Sequence, residues 1–327
     1  MTQGHLIGVG SPLVDLLAHV PDSFVAGVGG LRGGAERVDA PRERGLRAKL
    51  NSLPERAPGG SAANTVVGAA RLGLSTALLC KLGEDEDGAF YRDCMTQAGV
   101  DDRGFKVNPD EPTGTCLSLV TPDGQRTMRT YLGAAATLSP DDIGVDDFRG
   151  FRHAHAEGYL LFNRELMLHI LDCAKQAGCT VSLDVSAPEV ILGAGIDPLR
   201  EILKESVDIV LANEDEAEAF SGTSDERGGL EALGECCPLA VVKLGARGVS
   251  MLRDGQVTFV ESTPVKAVDT TGAGDLWASG FLSGILTDCG LEESARRGAV
   301  LGAHVVQQLG AWIPDEDWPE LRNQLGL

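Results

Sequence analysis

Seven residues, 269-DTTGAGD-275, place Asp269, Gly272, Ala273, Gly274 and Asp275 directly before the apolar run LWASGFL. That run predicts a helix beginning near Asp275 or Leu276. N–H groups in the first turn of a helix have no partner inside it, and the macrodipole adds partial positive charge there. Gly272, Ala273 and Gly274 add no bulk, so a ligand can approach the backbone; the combination suits an anion such as phosphate. A carboxylate at the mouth of an anion site is unfavourable unless it has a task. The natural task for Asp275 is to take a proton from a hydroxyl that attacks phosphorus. The same residues also describe a glycine turn with Asp275 as a helix cap, and local chemistry leaves both descriptions open.

Four other stretches carry chemistry. In 58-PGGSAANTVVGAARLG-73, Gly59 and Gly60 permit close contact with a small polar molecule, and Asn64 both donates and accepts, which suits sugar hydroxyls. A tight turn feeding a small-residue helix accounts equally for the pattern. Asp15, in 10-GSPLVDLL-17, is a lone carboxylate in an apolar setting that can accept two vicinal hydroxyls, or simply an exposed Asp at a strand edge. In 213-NEDE-216, Asn213 and Glu216 follow the apolar strand VDIVLAN. Ligands of open α/β sheets bind beyond the carboxyl ends of strands, so these two can hold Mg²⁺, directly or through water. They also read as a helix cap with acidic first-turn residues, and both can hold at once. Gly245 lies in the glycine-punctuated turn 243-KLGARG-248. His153, His155 and His169 lack metal-site spacing, and neither GxSxG nor HExxH occurs.

These segments need elements to position them. The 327 residues suffice for one large α/β domain with a small appendage or two modest domains, and 43% hydrophobic with 23% charged residues is ordinary for a globular protein. A net charge of −20 with no basic stripe argues against nucleic acid or anionic membrane as partner. Eight Cys without a CxxC pair, two of them adjacent at Cys236 and Cys237, fit free thiols in a reducing cytosol. With no signal peptide and no transmembrane run, a cytoplasmic protein is expected. Strands and helices alternate from about residue 151 onward, which predicts a parallel sheet covered on both faces. In the first third, TGTCLSLVTPDGQRTMRTYLG reads as a hairpin around Pro122-Asp123-Gly124, and the Gly-rich AGVGGLRGGAERVD as a further hairpin turn. Such hairpins cannot all join a parallel sheet, so parts of about 12–50 and 105–135 are expected to form a separate small sheet, a lid over the strand ends.

The stretches occur in a family order. DTTGAGD, GGSAANTVVGAARLG, KLGEDEDG, NEDE and VVKLGARGV together resemble the ribokinase-like, or PfkB, carbohydrate and nucleoside kinases, over Ile7 to about Pro314. The resemblance implies a Rossmann-like α/β/α three-layer core with a β-sheet lid, one kinase domain over 1–327 with 151–327 as the nucleotide-side half. It implies transfer of the γ-phosphate of ATP·Mg²⁺ to a hydroxymethyl group. Asp275 would be the base and the amides of Gly272 to Asp275 the anion hole. Asp15, Gly59, Gly60 and Asn64 would bind the acceptor. Asn213 and Glu216 would organise Mg²⁺ and phosphate, and Gly245 would line the nucleotide site. Asp269 would belong to a loop that holds an activating monovalent cation, K⁺, in many members. GSPLVDLL, the hairpin and EGYLL are closer to adenosine kinases, with Tyr159 placed to stack near a base; Ser11 stands where Asn is usual. A sugar acceptor, a non-catalytic binder on this fold, and homodimer pairing through the lid are the alternatives and partner that accompany this reading. A dinucleotide oxidoreductase is set aside because GxGxxG is missing.

Overall fold

A computed structural model describes residues 4–327. Among the described residues, short apolar runs with interposed amphipathic segments produce fifteen strands: β1 Gly4–Val9, β2 Leu13–His19, β3 Ala35–Arg37, β4 Glu55–Gly59, β5 Thr76–Gly83, β6 Val100–Asp101, β7 Phe105–Asn108, β8 Thr115–Val120, β9 Arg126–Tyr131, β10 Phe151–Glu157, β11 Thr180–Asp184, β12 Ile209–Asn213, β13 Leu239–Lys243, β14 Gly248–Arg253 and β15 Gln256–Glu261. They sort into two sheets. The larger runs β15-β14-β13-β12-β11-β10-β1-β5-β6, with β7 also on β5. Its strands are parallel from β13 to β6, and the antiparallel β14 and β15 finish one edge.

Helices cover both faces, as parallel connections require. On one face lie α1 Asp22–Val28, α2 Ala40–Arg47, α3 Ser61–Arg71 and α4 Glu86–Gln97, the first two over the lid and the others over the large sheet. On the opposite face lie α5 Val145–Phe148, α6 Arg164–Gln176, α7 Pro188–Ala194, α8 Ile196–Ser206, α9 Glu214–Ser221 and α10 Glu226–Gly234. The C-terminal α11 Ala273–Leu286 and α12 Leu291–Val305 return to the α3 face, and α13 Trp318–Gln324 packs beside them. This is the Rossmann-like α/β/α three-layer core. Among the described residues no helix is long and apolar enough to cross a membrane, and all eight cysteines are free.

The smaller sheet, in order β3-β9-β8-β2-β4, stands over the carboxyl ends of the core strands. The Pro-Asp-Gly turn joins β8 to β9 as an antiparallel hairpin. Two expectations change here. The Gly-rich stretch is no hairpin turn: α1 ends at Gly29, and the chain turns back to place β3 parallel to β9. Phe105–Asn108 does not enter the lid but pairs with β5 in the core, while β4 (Glu55–Gly59) does join it. Strand alternation divides the lid faces. Asp15, Cys116, Thr130 and Arg126 share the face toward the core. Val14, Leu16, Leu117 and the fully buried Arg129 share the other, beneath Val25 of α1 and Leu46 of α2. Among the described residues, the outward lid face is therefore packed by this chain's own α1 and α2.

Candidate active site

The site is built where β10, β11, β12 and β13 end. Each of these largely buried strands finishes on a polar residue, respectively Glu157, Asp184, Asn213 and Lys243. Across from them begin α3 and α11, which pack against each other along Gly68, Leu276 and Ser279.

The helix after DTTGAG starts earlier than its apolar run suggested. Gly272 caps it at φ +74°, and Ala273 is its first residue, which makes Asp275 the third. A side chain on Gly272 would lie 2.6 Å from the Ala311 Cβ, and the left-handed backbone excludes it independently. The first-turn amides of Gly274 and Asp275 are left without an intrahelical acceptor. Asp275 is not the helix cap. Its Oδ1 accepts from Ser61 Oγ at 2.7 Å and its Oδ2 from Asn64 Nδ2 at 2.8 Å. Asn64 Oδ1 in turn accepts from Trp312 Nε1 at 3.0 Å. Burial raises the Asp275 carboxyl above the ordinary range, and the Asn64 and Ser61 bonds pull the other way. The result is an oriented carboxylate with more than ordinary affinity for a proton.

Gly59 and Gly60 shape the opposite wall. A Cβ on Gly59 would stand 2.6 Å from Asp15 Oδ2, so the carboxylate lies directly over that backbone. Burial pushes Asp15 up to about 6 despite Arg126 nearby. Glu157, which sequence reasoning missed, ties this wall together. It is 1% exposed and accepts from Ser11 N at 2.8 Å and from Ala62 N at 3.3 Å. Burial pushes its carboxyl up to about 7.

On the phosphate side, Asn213 and Glu216 form a capping box at the start of α9. Asn213 N and Nδ2 each donate to one Glu216 oxygen at 2.8 Å, and Glu216 N returns a bond to Asn213 Oδ1 at 2.9 Å. Cap and site residue are thus the same groups. Burial, then the neighbouring Asp184, pushes Glu216 up to about 7. Asp184 itself is held below the carboxylate range against its burial, chiefly by the Lys243 ammonium at 2.8 Å. Gly245 sits in the turn after β13 with open space around its Cα. Tyr159 follows β10 and is 48% exposed.

Asp269 is drawn away from the other carboxylates. Its Oδ1 accepts from Thr271 N at 3.1 Å and Thr271 Oγ1 at 2.7 Å. Its Oδ2 accepts from Gly310 N at 2.8 Å and pairs with the lid's Arg126 at 2.8 Å. His153 and His155 lie side by side on β10, next to β11. They are buried, share Ser182 Oγ at 2.8 Å, and burial holds them down at about 3 and about 4. Among the described residues no group of three or more His, Cys, Asp or Glu side chains is arranged to hold a metal.

The arrangement thus joins an oriented, proton-seeking carboxylate to an open helix start, beneath a β-sheet lid. The model of the pfkB family of carbohydrate kinases matches residues 41–318. The chain belongs to the pfkB family. As a pfkB protein it is a phosphotransferase with an alcohol group as acceptor, a sugar or nucleoside kinase. It is 30% identical over 273 residues to a probable fructokinase-2 of Arabidopsis thaliana, covering 80% of this chain and 82% of that one. A solved adenosine kinase from Sinorhizobium meliloti superposes with a TM-score of 0.88 at 30% identity, covering 98% of this chain and 99% of the other. A probable sugar kinase from Rhizobium etli gives 0.89 at 30% identity, covering 100% and 99%.

The residues missed from sequence divide in two. Glu157, Asp184 and Lys243 had a signal, the polar residue ending each apolar strand of a parallel sheet. Ser61, Trp312 and Arg126 had none, because each acts on a residue far away in the chain.

Proposed function

We propose that this pfkB protein transfers the γ-phosphate of ATP to a hydroxymethyl group of a nucleoside of the adenosine class. The observation that carries the transfer is the Ser61–Asp275–Asn64 cluster at the start of α11. The acceptor hydroxyl approaches Asp275, which takes its proton while the first-turn amides of α11 receive the phosphoryl oxygens. Asp15, Gly59, Gly60 and Asn64 line the side from which a ribose would enter. The lid excludes water, so that transfer to the acceptor outcompetes hydrolysis. The half-exposed Tyr159 at the site rim, together with the likeness to an adenosine kinase, favours a base-bearing acceptor. The likeness to a fructokinase favours the second reading, a sugar acceptor.

Mg²⁺ fits this site. Each Glu216 oxygen carries a single donor, which leaves lone pairs for the ion or its waters, and Mg²⁺ is commonly held by one or two carboxylates plus substrate phosphates. When bound it would neutralise phosphate charge, with Asn213 and Glu216 as its water-mediated or direct partners.

A monovalent cation fits the Asp269 carboxylate poorly. Oδ1 already carries two donors, and Oδ2 carries one beside its ion pair with the Arg126 guanidinium, which repels a second cation. We therefore expect turnover to be equal, within about twofold, in KCl and in choline chloride of the same ionic strength. A large K⁺ activation would show that Arg126 yields its place. The acceptor is tested by a panel of nucleosides, ribose and fructose with ATP·Mg²⁺, reading ADP release. Adenosine should give the highest kcat/KM. No signal with adenosine beside turnover of a sugar would overturn the nucleoside assignment but leave the kinase chemistry standing.

A further inference from the structure

We infer that Lys243 contacts the transferring phosphoryl group, as a second positive device beside the start of α11. The inference rests on the kinase function proposed above. Lys243 is the last residue of β13, and its side chain is 13% exposed. Its one hydrogen bond goes to Asp184 Oδ2 at 2.8 Å. An ammonium has three donors, so two have no protein acceptor among the described residues. A Cβ on Gly274 would stand 3.2 Å from Nζ, which puts the ammonium against the first turn of α11.

That is an awkward place for a cation. The start of a helix carries partial positive charge and repels an ammonium. The Asp184 carboxylate, paired with it at 2.8 Å, holds the ammonium there against that repulsion. Asp184 does not depend on Lys243 alone for hydrogen bonds, since Ser186 N donates to its Oδ1 at 2.9 Å from a strained residue at φ +68°. A pair whose only role is packing has no need to set two unpaired ammonium donors beside open helix amides. What satisfies both is a tetrahedral oxyanion with several acceptor oxygens, the terminal phosphate of a nucleoside triphosphate. Lysine suits the task because a compact, mobile point charge can follow a phosphoryl group, where a rigid guanidinium fork cannot.

In the step itself, the bond from the acceptor oxygen to phosphorus forms, and the bond from phosphorus to the β,γ-bridging oxygen breaks. The electron pair leaves with the nucleoside diphosphate. The acceptor proton passes to Asp275. Lys243 keeps its protons and stays with the phosphoryl oxygens throughout, so it contacts ATP through a group that ADP lacks.

That difference supplies the test. Calorimetry of ATP·Mg²⁺ and ADP·Mg²⁺ binding is run on the full chain and on Lys243→Gln, with kcat and acceptor KM measured alongside. Removing a positive contact of this kind should lower kcat by roughly 10²–10³-fold. ATP should bind about tenfold more weakly, with ADP affinity and acceptor KM unchanged, as expected when one charge-assisted bond is lost. A purely structural lysine would weaken ATP and ADP alike, and that result overturns the inference, as does a kcat near that of the natural chain. Because Lys243→Gln leaves Asp184 buried without its partner, a double variant, Asp184→Asn with Lys243→Met, is measured in parallel. Selective loss of ATP over ADP affinity in the double variant supports the contact, and parallel loss overturns it. If the natural chain binds ATP and turns over but the variants match it, Lys243 alone is wrong. If the natural chain binds neither nucleotide, the kinase function fails with it.

Discussion

Asp275→Asn should abolish turnover while ATP remains bound. The substitution keeps the shape of the side chain and removes only its ability to hold a proton. Its geometry can persist, because an amide oxygen at position 275 can accept from Asn64 Nδ2 while the amide nitrogen donates to Ser61 Oγ. Asn64 is itself unable to turn over cheaply, since its Oδ1 is held by Trp312 Nε1 at 3.0 Å. A positioned general base contributes about 10²–10⁴-fold, so kcat should fall by at least that lower bound. ATP affinity, read by calorimetry, should stay within about threefold because the α11 amides are untouched. Near-normal kcat in this variant would remove Asp275 as the base.

Glu157→Gln should raise the acceptor KM roughly tenfold or more, with ATP affinity unchanged, the order expected for losing a buried charge-assisted bond. Glu157 receives one N–H from Ser11, just before β2 and Asp15, and one from Ala62 in the first turn of α3, just before Asn64. A carboxylate accepts from both. A glutamine must turn its NH₂ toward one of them, which leaves a buried donor facing a donor and loosens Asp15 against Asn64. The variant also changes the pH response. With its carboxyl near 7, Glu157 gains its second acceptor oxygen as pH rises through neutrality, so acceptor kcat/KM of the natural chain should rise across that range. In Glu157→Gln the rise should shrink to a shallower limb near pH 6, where Asp15 titrates. Stability runs the opposite way. The folded carboxyl holds its proton up to about 7 against an ordinary 4.5, so its contribution is complete below 4.5 and is lost as pH rises through 7. Melting curves should therefore show Glu157→Gln closing the gap to the natural chain between pH 5 and pH 8, to the extent of the ~1–3 kcal/mol of a buried network. An unchanged acceptor KM together with an unchanged pH limb would make Glu157 a packing residue only.

The sequence by itself determined the layered core. Alternating apolar strands and amphipathic helices from residue 151 leave a parallel sheet covered on both faces as the stable packing, because each strand is apolar on both sides. It also determined the anion turn, since small residues before an apolar helix expose amides wherever that helix sits. The cap of α9 was legible for the same reason: Asn213 and Glu216 are three residues apart, and their bonds are local. Tertiary structure alone decided which partners each carboxylate receives. Ser61 meets Asp275 across 214 residues and Trp312 meets Asn64 across 248, contacts no local spacing can encode. Asp269 and Asp275 look alike in DTTGAGD, yet folding gives one to Arg126 of the lid and the other to Ser61 and Asn64 of α3. Local propensity sets where backbone amides are exposed; the charge and proton affinity of a side chain depend on what folding buries beside it, and that is settled only when distant strands end at one place.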